Sequence, residues 1–255
     1  MSALRRAATA CSTAAVLWTP DSEMDVARLH SWDLDYASAA KLQTSLRGRI
    51  IRRSSGRNWN LVAGCDVSYS RGSDVFYGGV VVLSLPDMAL VDQARVVNRS
   101  SFPYIPGLLS FREAPILLEA FARLRTVPDL VLVDGQGYAH PRRMGLAAHL
   151  GLFLDVPTVG CAKSRLVGEY VEPELAAGSR SPLVDGSERI GTVLRTRTGV
   201  KPVFVSTGNR IDLRGAERAV LKCCSRYRLP EPIRTAHRLV NEIRRQREDG
   251  LNRGA

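Results

Sequence analysis

The stretch at residues 129–134, DLVLVD, constrains the fold more than any other part of this sequence. Four apolar residues in a row are closed by a carboxylate and followed at once by Gly135-Gln136-Gly137. A short, unbroken Leu/Val run reads as a strand covered on both faces, which demands helices on either side of a sheet. In open α/β sheets ligands gather at the carboxyl ends of strands, so Asp134 is a candidate site residue. An ordinary Asp-Gly turn is the plain alternative.

The flanking patterns extend this reading. Residues 35–53 have the period of an amphipathic helix, with Leu42, Leu46 and Ile50 at four-residue spacing. Residues 59–69 read as a buried strand. VFYGGVVVLSLP (75–86) and ALVDQARVVNRS (89–100) read as two more, joined at the Pro86-Asp87 turn. Three successive strands suggest an antiparallel meander. Helices are then expected at 111–125 and 144–154, with Pro115 tolerable only in a first turn. Strands are expected at 130–134, 158–161, 190–195 and 202–206, and helices at 214–224 and 231–247. A meander followed by helix–strand alternation gives an α/β fold with a mixed central sheet flanked by helices. The 255 residues, 45% of them hydrophobic, suit one domain with a full core.

Two further acids stand in apolar surroundings: Asp66 in LVAGCDVSY and Glu113 in LLSFREAPILL. An unpaired carboxylate costs several kcal/mol in such a setting, so several of them near one another need a compensating charge. Oxygen ligands without thiolates point to a hard cation, Mg²⁺ or Mn²⁺. Glu113 has a competing reading, because Ser110 to Glu113 has capping-box spacing; spacing alone favours the cap. His237 lies four residues after Ile233 and three before Val240, on the apolar face of its helix and directed at the protein body. It reads either as a core histidine or as a base over the acids. Lys163, just beyond an apolar strand, is a surface lysine or a group that stabilises phosphate charge. The segment Pro103-Tyr104-Ile105-Pro106 is stiff, with an aromatic near its tip, and reads as a packed turn or a wedge.

A formal net charge of +11 and a pI near 10.0 favour a polyanionic partner. Arg47, Arg49, Arg52, Arg53 and Arg57 form one basic stretch, and Arg234, Arg238, Arg244, Arg245 and Arg247 another. Each is a phosphate-contact surface or a solvated face. Five cysteines without a C-x-x-C pair imply neither a disulfide framework nor a zinc site, and Cys65 and Cys161 read as small buried residues. No apolar run reaches 18 residues, so no membrane span is expected. The first 20 residues faintly resemble a targeting peptide, but their apolar run is thin. The expected organisation is a flexible extension at 1–29, a single catalytic domain at 30–248 and a tail at 249–255, in a cytoplasmic monomer.

FPYIPGLLSFRE, VDGQGYAHPRRMGLAAHLG, VGCAKSRL and EPIRTAH together resemble endonuclease V, the deoxyinosine-directed repair nuclease family, over residues 30–245. The resemblance implies a ribonuclease H-like sheet. It implies Asp66, Glu113 and Asp134 as ligands of Mg²⁺, with Mn²⁺ able to substitute, and Lys163 and His237 as further catalytic residues. It assigns Pro103, Tyr104, Ile105 and Pro106 to a wedge, and Gly107, Leu109, Gly135, Gly137, Gly145 and Leu146 to a lesion pocket. His140 is placed near lesion and phosphate, with Arg142 and Arg143 on the backbone. It implies cleavage of DNA at the second phosphodiester 3′ to deoxyinosine, leaving a 3′-hydroxyl and a 5′-phosphate. Inosine in RNA, single-stranded or branched substrates, and a non-catalytic binding module are the alternatives. Departures from the family pattern fall at Thr207, Asn209, Ala148 and Ala114.

Overall fold

The computed structural model describes residues 24–253 except 55, 57 and 71. In chain order its elements are α1 (Tyr36–Leu46), a 3-10 turn (Arg47–Arg49), β1 (Leu61–Tyr69), β2 (Val75–Ser84), β3 (Leu90–Arg99) and α2 (Leu109–Ala122). Then come β4 (Leu130–Val133), α3 (Leu146–Leu154), β5 (Thr158–Ala162), β6 (Arg180–Asp185), β7 (Glu188–Leu194), β8 (Val203–Thr207), α4 (Leu213–Lys222) and α5 (Glu231–Arg253). The strands make one sheet in the order β3-β2-β1-β4-β5-β8-β7-β6. Only β1–β4 and β4–β5 are parallel. The expected meander is β1-β2-β3, antiparallel throughout.

β4 is covered on both faces, as its unbroken apolar run requires. Val131 and Val133 join Ala63 and Cys65 of β1 under Leu117 and Phe121 of α2 and Leu150 of α3. Leu130 and Leu132 face the other way, joining Val62 under Ala216, Ala219 and Val220 of α4 and Ile233 of α5. The period-2 alternation of β1 therefore feeds two separate cores.

Some elements differ from expectation. α1 ends at Leu46 rather than at 53, where Gly48 and a 3-10 turn close it. Asp35 is its N-cap, accepting a hydrogen bond from the Ser38 amide at 2.7 Å. α2 begins two residues early, so Pro115 lies inside the helix rather than in its first turn, with loss of one backbone donor. The N-cap of α2 is Leu108, without a side-chain bond, and Ser110 is buried inside the helix. The capping box is therefore not formed, which frees Glu113 for another role. β6 was not foreseen because Pro182 and its charged neighbours mask the pattern, yet an edge strand tolerates proline.

The expected extension includes residues that dock. Met24 is buried, Val26 and Leu29 pack on the α2–α3 core, and the Ala27 amide donates to the Phe153 carbonyl at 3.0 Å. The targeting-like stretch and Cys11 lie outside the described residues. Among the described residues the cysteines are free, with Cys65 and Cys161 buried as expected. No described helix is long and apolar enough to cross a membrane.

Candidate active site

Strand register brings the first two acids together. Cys65 of β1 pairs with Val133 of β4 in parallel, so Asp66 and Asp134 follow one residue on, on neighbouring strands. Adjacent strands lie roughly 4.8 Å apart, which forces the two carboxylates to interact. Glu113 arrives from α2. Burial raises the Asp66 carboxyl above its usual range, Asp134 raises it further, and the bond to His237 opposes both. Glu113 is pushed up to about 8, first by burial and then by Asp66 and Asp134. The three acids are thus one coupled cluster at the carboxyl end of β4.

His237 is placed by a glycine. A Cβ on Gly64 would lie 2.1 Å from the Pro232 carbonyl carbon, so only glycine lets the start of α5 rest on β1. From that contact, two residues along the strand and five along the helix cover similar distances, roughly 7 Å each. His237 therefore arrives over Asp66, and its Nδ1 lies 2.7 Å from Asp66 Oδ2. Its side chain is 56% exposed, so the histidine is no core residue, although it does face the acids. Asn241, one turn on, places Nδ2 3.1 Å from His237 Nε2 and donates to the His237 carbonyl at 2.8 Å. Ser68 Oγ donates to Asn241 Oδ1 at 3.1 Å, which turns the amide nitrogen toward the imidazole. Sequence reading missed Asn241; its signal is the H-x-x-x-N spacing, which stacks the two side chains on one helix face.

Lys163, just past β5, donates to Asp134 Oδ2 at 2.5 Å. Asp66 and Asp134 are each held by a basic partner, while among the described residues Glu113 has no hydrogen-bond partner. As placed, no three His, Cys, Asp or Glu side chains among the described residues are gathered closely enough to hold a metal ion. The donor chemistry nevertheless fits a hard dication. All three ligands would be carboxylate oxygens; Asp134 raises the Asp66 carboxyl, both aspartates raise Glu113, and a cation relieves that.

A cavity of about 300 Å³ adjoins the cluster, with Asp134 and Lys163 in its wall. Tyr104, Ile105, Pro106, Gly107, Leu109, Gly135, His140, Gly145 and Leu146 line it, which gathers most of the expected wedge and lesion-pocket residues in one place. Tyr104 is 61% exposed, while Phe102 and Ile105 anchor the loop against Leu108 and Phe111. Two expected members lie elsewhere. Pro103 faces a neighbouring cleft, and Gly137 is buried where a Cβ would meet the Thr207 carbonyl oxygen at 2.2 Å. Gln136, Ser164 and Leu166 join the lining unforeseen.

The basic residues of the HPRR motif are occupied within the protein. Arg142 donates to the Gly107 carbonyl at 2.7 Å and to Gln43 Oε1 at 2.6 Å. Arg143 pairs with Asp185 at 2.8 Å and Glu188 at 2.9 Å. Both guanidiniums are half-buried and make these bonds within the protein. His140 Nδ1 accepts from the Arg142 amide, so Nε2 carries the proton and donates to the Gly107 carbonyl at 2.9 Å. Burial lowers this imidazole to about 4, leaving a neutral clamp on a loop whose Gly107 has φ +79°. Arg47, Arg49, Arg52 and Arg53 are exposed, and Arg57 lies outside the described residues. In the C-terminal run, Arg234 pairs with Glu231 and stacks on Tyr227. The departures from the family pattern are packing positions: Ala114 and Ala148 are buried, and the Thr207 carbonyl accepts from the Tyr138 amide. Asn209 bridges the Ile51 amide and the Gly151 carbonyl.

Comparison with known proteins identifies the family and the fold. The endonuclease V family model matches residues 44–238. Endonuclease V of Dehalococcoides mccartyi is 51% identical over 218 residues, covering 86% of this chain and 98% of that protein. The crystal structure of Streptomyces avermitilis endonuclease V superposes with a TM-score of 0.81 at 41% identity, covering 85% of this chain and 96% of that one. A variant of Ciona intestinalis endonuclease V, in complex with a 23-mer DNA containing an inosine followed by a ribo-adenosine, gives a TM-score of 0.73 at 30% identity. It covers 82% of this chain and 97% of that one. The chain therefore belongs to the endonuclease V family, nucleases of ribonuclease H-like fold that act on DNA.

Proposed function

We infer that this chain is a metal-dependent repair endonuclease that nicks inosine-containing DNA at the second phosphodiester 3′ to the deoxyinosine. One observation carries the reading: Asp66, Glu113 and Asp134 form a coupled acidic cluster beside a base-sized cavity, with Lys163 and His237 in direct contact with it. The inosine-containing DNA in the Ciona complex supports the choice of lesion. A binding module would need the arginines but not the acids.

Asp66 and Asp134 would hold Mg²⁺, with Mn²⁺ as a substitute and Glu113 completing the set. When bound, the ion supplies charge neutralisation at the phosphate and makes water more acidic. The chain's own residues do the rest. His237, oriented by Asp66 through Nδ1, takes the proton of the attacking water at Nε2, the nitrogen that the Asn241 amide otherwise faces. Lys163 Nζ stabilises negative charge on phosphate or leaving oxygen. In-line attack leaves a 3′-hydroxyl and a 5′-phosphate. The exposed Tyr104 enters the base stack while the cavity takes the extruded base.

The test is nicking of end-labelled oligonucleotides carrying one deoxyinosine or one inosine, with Mg²⁺ or with chelator. The expected result is a single metal-dependent nick immediately 3′ to the nucleotide that follows deoxyinosine. Binding without cleavage, or preference for the RNA oligonucleotide, would overturn it.

A further inference from the structure

The wall of the cavity holds an acceptor with no donor. Gln136 follows Gly135 and is 8% exposed. Its Nε2 donates to the Ser164 carbonyl at 2.9 Å, which fixes the amide orientation because a carbonyl can only accept. Oε1 is then left buried, and no donor among the described residues reaches it. The backbone is fixed as well. The Gln136 carbonyl accepts from the Ala147 amide at 3.0 Å, and a Cβ on Gly145 would lie 2.3 Å from that same oxygen.

The other polar side chains deep in this wall are satisfied. Gln43 Nε2 donates to the Met144 carbonyl and its Oε1 accepts from Arg142. His140 uses both ring nitrogens, and Lys163 is held by Asp134. A buried acceptor without a donor costs about as much as a lost hydrogen bond, so it favours any occupant that brings an N–H.

We propose that Gln136 is a specificity-determining residue whose Oε1 accepts the ring N–H of a lactam base seated in the cavity. This deepens the function proposed above and rests on it. Hypoxanthine presents N1–H beside its C6 carbonyl. Adenine presents an N1 lone pair instead, which would face Oε1 acceptor to acceptor. Gln136 thus separates lactam from amino-type bases, and the parent of the lesion is of the second type. Sites built to pair a substrate N–H reject the analogue that lacks it, because their own buried group is then left unpaired.

A double-mutant cycle between protein and base tests this. Duplexes carry deoxyinosine, 1-deaza-deoxyinosine (C–H in place of N1–H) or deoxyadenosine. Wild type and Gln136→Met are compared by Kd and single-turnover nicking, with a thermal melt to establish folding. Wild type is expected to lose about 10- to 100-fold on the 1-deaza base. Gln136→Met should lose a similar factor on deoxyinosine and then treat the two bases alike within about twofold. If the 1-deaza penalty is the same in both proteins, or is absent in wild type, the inference is wrong. Where the methionine variant fails to fold, Gln136→Asn, which draws the amide oxygen back by one methylene, takes its place in the cycle with the same expected outcomes. A wild type that does not prefer deoxyinosine over deoxyadenosine overturns the proposed function, and the Gln136 role with it. A preference that survives with additive penalties overturns the Gln136 role alone.

Discussion

Two polar clusters flank α2 and α3, and they resolve the cost of burial in opposite ways. His149 is fully buried, with its Nε2 2.8 Å from His30 Nε2 and with Trp32, Phe111 and Phe153 around the pair. Burial lowers it to about 3, so the pair is neutral and needs no counter-charge. Among the acids Glu113, pushed up to about 8, can shed its charge in the same way. Asp66 and Asp134 hold basic partners, Lys163 and His237, which are themselves 46% and 56% exposed. One cluster closes by losing charge; the other stays open to an incoming cation. That openness marks a site of chemistry, whereas the neutral, aromatic-packed pair marks a joint between the N-terminal strap and the core.

The largest effect that could break this contrast is on cleavage. Asp66→Asn and Asp134→Asn should each lower nicking of deoxyinosine DNA on the order of 10³-fold or more, with DNA binding retained in gel shifts. His237→Leu should cost on the order of 10²-fold, the usual weight of a positioned base. Asn241→Leu should cost about 10-fold, since it removes only the partner that orients the imidazole. Nicking within about threefold of wild type in either aspartate variant would place the chemistry elsewhere.

Stability against pH distinguishes the clusters more finely. Glu113 has a folded pKa near 8, well above its unfolded value, so its contribution is complete below about 4.5 and is lost as pH rises toward 8. In chelator, the melting temperature should fall across that window, with a slope of at most ~1.4 kcal/mol per pH unit for this one proton. Added Mg²⁺ should stabilise more at pH 8 than at pH 5. Glu113→Gln should flatten the slope and raise the metal-free melting temperature at pH 8. An unchanged slope in that variant would show that Glu113 does not titrate in this window.

Much of this was legible in the sequence because it rests on local patterns. The DLVLVD run marked β4, and the apolar run interrupted by Asp66 marked β1. The register Cys65–Val133, which makes neighbours of Asp66 and Asp134, is a long-range pairing that no local pattern encodes. Glu113 shows the limit most clearly. Its capping-box spacing was real, but α2 begins before Ser110, and tertiary packing buried the would-be cap. For Arg142 and Arg143 the resemblance implied backbone contacts, and no local pattern reveals the internal partners they also hold. Those partners, Gly107, Gln43, Asp185 and Glu188, are all distant in sequence. Gln136 was passed over because an amide carries no charge signal; only the absence of a donor gives it away.

The smallest expected effect sharpens the other half of the contrast. His149 has a folded pKa near 3 against an ordinary value of 6.5, so its contribution is present above 6.5 and is lost as pH falls toward 3. His140, lowered to about 4, adds to the same acid limb. The two clusters thus oppose each other, one weakening as pH rises and the other as it falls. His149→Phe should flatten the acid limb measured by thermal melts between pH 6.5 and 4. At pH 7.5 it should change stability by only about 1 kcal/mol, since the lost bond to His30 is offset by removal of a buried Nδ1 without a partner. Nicking should stay within about threefold of wild type. A large loss of nicking with an unchanged melt would mean that the histidine pair reaches the chemistry after all, and that a neutral, closed cluster is no sign of a purely structural role.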